Sequence, residues 1–147
     1  MGVTELMRGD VRTLQALMLQ YPQAELPTTH LFADGMYARI LPRPAGTLIV
    51  GKVHKHEHFY IVTKGSVQVG EQIYRAGDVI VSQPGTKRAV LALEDSICMT
   101  VHRTDKTDLA EIEAELVEPD EACTYGPGNV LLSMKHEVIE QQQEKVK

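Results

Sequence analysis

The sequence has no apolar run long enough to cross a membrane, no long basic run and only two cysteines. A membrane-spanning helix needs about 20 apolar residues, so no membrane span is expected. The formal charge of −5 disfavours a nucleic-acid partner, because such binding depends on basic contacts to phosphates. Cys98 and Cys123 form no CxxC pair and therefore predict no disulfide framework.

Familiar signals for export and catalysis are also missing. The amino terminus has no basic-then-apolar signal pattern, so a cytoplasmic protein is expected. There is no P-loop, no GxGxxG after a strand, no GxSxG and no HExxH. No catalytic residue is therefore predicted. The chain has 147 residues, enough for a single domain with a sizeable core.

The histidines are concentrated in one place. Three of the six lie at alternating positions between Gly46 and Gly65, in GTLIVGKVHKHEHFYIVTKG. Residues two apart share one face of a strand, so His54, His56 and His58 can form a three-histidine face. Imidazole is a common ligand of divalent transition metals, and three converging donors are a usable set. A bend in the middle of this segment would break the alternation.

Most of the remaining chain has a β pattern. Short β-rich runs with frequent turn residues predict an all-β sandwich or barrel rather than alternating βαβ units. Asp34-Gly35 between two such runs predicts a hairpin. The predicted strands are Thr28–Phe32, Met36–Leu41, Thr47–Val53, Phe59–Thr63, Ser66–Val69, Gln72–Arg75, Val79–Ser82, Arg88–Leu93 and Ser96–His102.

Helices are predicted only outside this β region. Apolar residues at helical spacing indicate helices at Asp10–Gln20 and Thr107–Val117. The first would cover an open end of a barrel or sheet, or dock on another subunit. The tail Asn129–Lys147 carries five apolar residues, so it would pack on its own barrel or on a neighbouring subunit. We therefore divide the chain into an arm (1–27), a barrel with a closing helix (28–118) and a tail (119–147).

Two segments resemble the cupin motifs. Gly46 to Gly65 resembles G-x5-H-x-H-x3-E-x6-G, and GDVIVSQPGTKR, which ends at Arg88, resembles G-x5-P-x-G-x2-H. The resemblance implies a small jelly-roll β-barrel with short flanking helices. It puts Lys52, His54 and His58 at the ligand positions of the first motif and Arg88 at that of the second. Lys52 and Arg88 are cations at neutral pH and would oppose a divalent ion.

Three functions follow from these residues. In one, Lys52, His54, His58 and Arg88 line a metal-free pocket for an anion such as a carboxylate or phosphate. In another, His54, His56 and His58 hold a divalent metal in an isomerase or dioxygenase, as the cupin resemblance implies. In the third, the barrel is a non-catalytic structural part.

A second resemblance favours the structural role. TLIVGK, IVTKG and PGTKR are similar to segments of small cupin-like proteins encoded by tailed bacteriophages and prophages. This implies a structural or accessory protein, located in the virion if phage-encoded, that forms homo-oligomers or binds other phage structural proteins. No cofactor is expected in that role. His30, His102 and His136 are isolated in the sequence, and no function is predicted for them.

Overall fold

The computed structural model describes residues 11–19, 25–119 and 125–127. Within these ranges the chain forms two helices, α1 (Val11–Met18) and α2 (Leu109–Leu116), and nine strands. The strands are β1 (Thr29–Ala33), β2 (Met36–Arg43), β3 (Leu48–Val50), β4 (His58–Lys64), β5 (Ser66–Val69), β6 (Gln72–Arg75), β7 (Val79–Ser82), β8 (Ala89–Ala92) and β9 (Ser96–Arg103).

The strands form two antiparallel sheets that face each other. One has five strands in the order β1-β2-β9-β4-β7, and the other has four in the order β3-β8-β5-β6. A single buried cluster joins Val62 and Cys98 of the first sheet to Val67 and Val90 of the second, so the core lies between the sheets. This arrangement confirms the predicted all-β class, a small cupin-like β-barrel with short flanking helices.

Helix α1 covers the outer face of the four-stranded sheet. Leu14, which is 2% exposed, packs against Val50 of β3 and Ala89 of β8. Neighbouring strand residues point the other way, since side chains alternate along a strand. Of the two roles predicted for the first helix, the described residues show it lying on a sheet of its own chain.

The outer face of the five-stranded sheet is also apolar, but neither of the two described helices covers it. Leu31, Phe59 and Val81 are 51%, 48% and 49% exposed. The strand registers align them in a row that crosses all five strands, Leu31, Ala38, Val101, Phe59 and Val81. The next row is Thr29, Ile40, Met99, Ile61 and Val79. We call these ten residues the open sheet face.

The segment between β3 and β4 differs from the prediction. Thr47–Val53 was expected to be one strand, but β3 ends at Val50. The backbone stays beside β8 for one more residue, since the amide of Gly51 donates to the carbonyl of Arg88, but the amide of Lys55 donates to Leu116 at the end of α2. His54 forms an isolated bridge with Val117. The segment therefore ties the barrel to the closing helix.

Helix α2 begins with a side-chain cap. The carboxylate of Asp108 accepts a hydrogen bond from the amide of Glu111 at 3.0 Å. Ile112 and Leu116 pack on Tyr37 of β2. The predicted tail Asn129–Lys147, Cys123 and His136 lie outside the described residues, and the division into arm, barrel and tail stays a prediction. Within the described ranges, neither helix is long and apolar enough to span a membrane.

Candidate functional site

A cavity of about 110 Å³ lies inside the barrel. Its wall includes all four residues that the sequence assigned to a metal-free pocket: Lys52, His54, His58 and Arg88. Arg39 and Arg43 of β2 line it as well, so four cationic side chains surround it and no described carboxylate does. Much of the remaining wall is apolar. That the four predicted residues bind a ligand stays a prediction.

The two arginines reach the cavity through the alternation of β2. Arg39, Leu41 and Arg43 share the inner face of the strand, which pairs with β9 so that Arg39 lies opposite Thr100 and Leu41 opposite Cys98. Leu41 therefore lies between Arg39 and Arg43 on this face. The sequence alone did not identify either arginine: the predicted strand Met36–Leu41 had no assigned inner face for Arg39, and it ended before Arg43.

Arg43 is the least satisfied of these cations. It is 8% exposed, and its Nε and Nη1 atoms have no hydrogen-bond partner among the described residues. The hydroxyl oxygen of Tyr60 is likewise buried without a normal hydrogen bond there. Its neighbour is the thiol of Cys98, a weak hydrogen-bonding group. Buried polar atoms are nearly always paired, so these atoms are the groups on the cavity wall that are free to bind a polar ligand.

The other cations have protein partners. Arg88 donates from Nη1 to the hydroxyl of Ser82 at 2.8 Å. Lys52 forms a salt bridge with Glu113 of α2 and donates to the carbonyl of Gly126 at 3.3 Å. Burial lowers the pKa of Arg39, while the charge of Glu113 opposes that shift. The positive charge at the cavity is therefore only partly offset, and least of all at Arg43.

A histidine cluster adjoins the cavity. The ligand atoms of His54, His58 and His102 all lie within 4.8 Å of one another. His58 begins β4 and His102 lies near the end of β9, and these two strands are neighbours. The imidazole rings of His58 and His102 stack with centroids 4.5 Å apart, and the ring of His54 is tilted against that of His58 with centroids 4.3 Å apart.

This cluster corrects two interpretations of the sequence. The expected face of His54, His56 and His58 does not form, because residues 55–57 bend and His56 is exposed. His102, for which no function was predicted, takes the third place instead. Its inward position follows from alternation along β9, but the pairing of β9 with β4 brings together residues 44 positions apart, and no local pattern reveals that pairing.

The cluster is uncharged at neutral pH. Burial lowers the pKa of His54 to about 3 and that of His102 to about 2. Burial also lowers the pKa of His58, and the charge of Arg39 lowers the pKa of all three. A neutral imidazole has a free lone pair on one ring nitrogen, and this neutral form is the one that binds metals.

The donor set fits a divalent transition metal, but its surroundings fit less well. Zinc takes imidazole nitrogens at about 2.0–2.1 Å, and three histidines with an open position form a known catalytic set. The stacked rings would have to turn for their lone pairs to meet at one ion. The charge of Arg39, which reaches all three histidines, would weaken binding of a dication.

No family model and no curated protein matches the sequence. Part of the chain is similar to solved structures. One belongs to the complex of SigE with the anti-sigma ChrR from Rhodobacter sphaeroides, at 20% identity, over 54% of this chain and 45% of that one, with a TM-score of 0.49. The chain thus spans less than half of that protein.

Two further similar structures are covered more fully. KdgF from Halomonas sp. is 19% identical over 57% of this chain and 84% of its own, with a TM-score of 0.49. A cupin 2 conserved barrel domain protein from Salinispora arenicola is 18% identical over 58% and 81%, with a TM-score of 0.45. At these values the similarities say nothing about function, and they lend no support to the phage resemblance.

Proposed function

We propose that the barrel binds a small anion in its cavity without the help of a metal. The observation that carries this proposal is Arg43, a buried cation whose Nε and Nη1 atoms lack partners among the described residues. Burying an unpaired charge costs several kcal/mol, as a rough general figure, and a bound anion would remove that cost. Arg39, Lys52 and Arg88 on the same wall add attraction for a negative ligand.

The apolar part of the cavity strengthens this attraction. Leu41, Ile49 and Val90 line the wall beside the cations. Such side chains exclude water and lower the local dielectric, so a charge-assisted hydrogen bond inside is stronger than at the surface. The neutral histidines can contribute a hydrogen bond without adding charge.

The test is calorimetric titration of the metal-stripped full chain with phosphate, acetate and butyrate. We expect saturable binding of at least one of these anions, weakened about tenfold or more in Arg43→Gln, since hydrogen bonds to charged groups contribute about 1.5–3 kcal/mol. Arg75→Gln, which changes an exposed arginine of β6, is the matched control and should leave binding unchanged. Absence of binding by all three anions would refute the proposal.

A metal-dependent function is the second candidate. It is favoured by the convergence of His54, His58 and His102 within 4.8 Å. A metal held there would supply Lewis-acid chemistry next to the cavity. Elemental analysis of protein purified without an affinity tag separates the candidates. About one metal per chain, lost in His102→Ala but kept in His56→Ala, would favour the metal centre, and only traces would favour the metal-free pocket.

A second copy of this chain is the partner that we propose for the open sheet face. The face is almost free of charge, so two copies can stack there without repulsion. Five strands spaced about 4.8 Å apart make the face about 24 Å wide, so it can supply a large part of the roughly 800 Å² that each partner buries in a typical stable complex. Size-exclusion chromatography with light scattering measures the assembly directly.

The structural role in a phage particle stays a prediction. Neither the geometry of the described residues nor the comparisons support it, and the cavity gives no reason for it. Deleting residues 129–147 tests the assembly role predicted for the tail. The prediction is contradicted if the truncated chain keeps the full-length mass in solution and still joins any larger particle.

A further inference from the structure

We infer that the anion is a small monocarboxylic acid, whose carboxylate meets Arg43 and Tyr60 and whose apolar body lies against Leu41 and Ile49. This inference rests on the anion-binding function proposed above and adds the chemical class and the orientation of the ligand. The observation behind it is that the donors of Arg43 and Tyr60 line the same cavity as the apolar side chains of Leu41 and Ile49.

The first step concerns the donors. A guanidinium group presents its N–H groups in a rigid fork that matches the two oxygens of a carboxylate. Two nitrogens of Arg43 are unpartnered among the described residues, and the Tyr60 hydroxyl, which has only the weak Cys98 thiol as a neighbour, lines the same cavity. Burial raises the pKa of Tyr60, so the phenol keeps its proton and can donate. Together they provide donors for one oxyanion group.

The second step concerns what surrounds that group. Leu41 is the next inward residue of β2 after Arg43, and Cys98 lies opposite Leu41 on β9. Inward positions on a strand are about 6.8 Å apart, since the rise is about 3.4 Å per residue. A ligand that extends from Arg43 therefore meets apolar side chains within one such step. Free phosphate has polar oxygens on every side and would leave some of them against this wall.

The third step concerns size. The cavity volume of about 110 Å³ is somewhat smaller than the engineered 150 Å³ cavity known to accept benzene. The ligand is therefore limited to a short chain or a small ring. A long fatty acid does not fit within the described cavity.

The test compares acetate, propionate, butyrate and inorganic phosphate by calorimetry at constant pH and ionic strength. Each added methylene should raise affinity about fourfold, because burial of one methylene is worth about 0.8 kcal/mol. Butyrate should bind at least tenfold more tightly than phosphate. If phosphate binds as tightly as butyrate and Arg43→Gln weakens both, the anion-binding function stands and the carboxylic acid class is wrong.

Separate variants test the proposed orientation of the ligand in the cavity. Tyr60→Phe removes the unpaired hydroxyl but keeps the ring, so folding is expected to be preserved. It should weaken acetate and butyrate by the same factor, about two- to tenfold for one lost hydrogen bond, and leave the methylene increment unchanged. Leu41→Ala should instead reduce the methylene increment. Equal affinities of Tyr60→Phe and the unchanged protein for acetate would overturn the proposed orientation, and no binding of any probe would refute the anion site itself.

Discussion

The two sheets of the barrel differ in where their polar and apolar side chains lie. The five-stranded sheet places arginines and histidines on its inner face and leaves an apolar outer face open. The four-stranded sheet contributes apolar residues such as Val67 and Val90 to the inside, and α1 covers apolar residues on its outside. Among the described residues, a helix thus covers part of one sheet, whereas the other sheet has unpaired polar groups on its inner face and exposed apolar side chains on its outer face.

Because of this difference, we expect the four-stranded sheet to contribute mainly to stability and the five-stranded sheet to contribute mainly to ligand binding. The four-stranded sheet and α1 bury apolar surface without polar cost, so they should account for much of the folding free energy. The five-stranded sheet carries buried groups such as Arg43, which cost free energy unless a ligand pairs with them. Substitutions in the two sheets should therefore differ in size and in kind.

The largest effect is expected where the chain passes from one sheet to the other at Gly65. Its φ is +78°, and an added Cβ would lie 2.5 Å from the carbonyl oxygen of Asp95. Gly65→Val should destabilise the protein by about 4 kcal/mol or more, since backbone strain and overlap add. Urea denaturation measures it.

Gly85, at a later crossing between the sheets from β7 to β8, is the matched control. Its φ is +81°, but no described atom lies within 4 Å of an added Cβ. Gly85→Val should therefore cost only the strain, about 1–3 kcal/mol. Equal losses for the two variants would show that overlap at Gly65 is relieved at little cost.

The second effect compares the two outer faces. Leu14→Ala should destabilise the protein by about 2–5 kcal/mol, because it empties the contact between α1 and the four-stranded sheet. Leu31→Ala on the open sheet face should change stability by less than about 0.5 kcal/mol in dilute solution. Thermal denaturation at low protein concentration measures both. A comparable loss for Leu31→Ala would mean that the chain itself covers that face.

The third effect is a loss of stability in acid that originates in the five-stranded sheet. Burial holds the pKa of His54 at about 3 and that of His102 at about 2, against about 6.5 when unfolded. Between these values the unfolded chain binds protons that the folded chain excludes, so acidification favours unfolding. From pH 7 to pH 5 each histidine should cost about 1–2 kcal/mol in metal-free protein.

The pH dependence of the urea midpoint measures this effect, and variants locate its origin. His102→Gln should flatten the slope between pH 7 and pH 5. His56→Gln, at an exposed position outside the cluster, should leave it unchanged. A slope in His102→Gln as steep as that of the unchanged protein would place the acid sensitivity outside the cluster.

Local sequence patterns predicted the strands and helices but not which strands lie next to each other in the sheets. Most strands and both helices were predicted close to their observed bounds, because alternation, turn residues and caps act over a few positions. The bend at residues 55–57 removed His56 from the predicted set, and only the pairing of β4 with β9 brought His102 into it. Arg43 was missed for a different reason, since the predicted strand ended at Leu41 and the observed one continues through Pro42 to Arg43.

The smallest effect on stability, and the sharpest test of the open sheet face, is expected for Phe59→Lys. Phe59 lies at the fourth place in the row that crosses all five strands and is 48% exposed. A lysine there can keep its charge in water, so the monomer should lose less than about 0.5 kcal/mol. In a stacked pair the same lysine would be buried without a partner, which costs far more. Light scattering should therefore show a smaller assembly for Phe59→Lys than for the unchanged chain, while Arg75→Lys on the four-stranded sheet changes nothing. If the two variants have the same mass as the unchanged chain, copies of this protein do not meet through the five-stranded sheet.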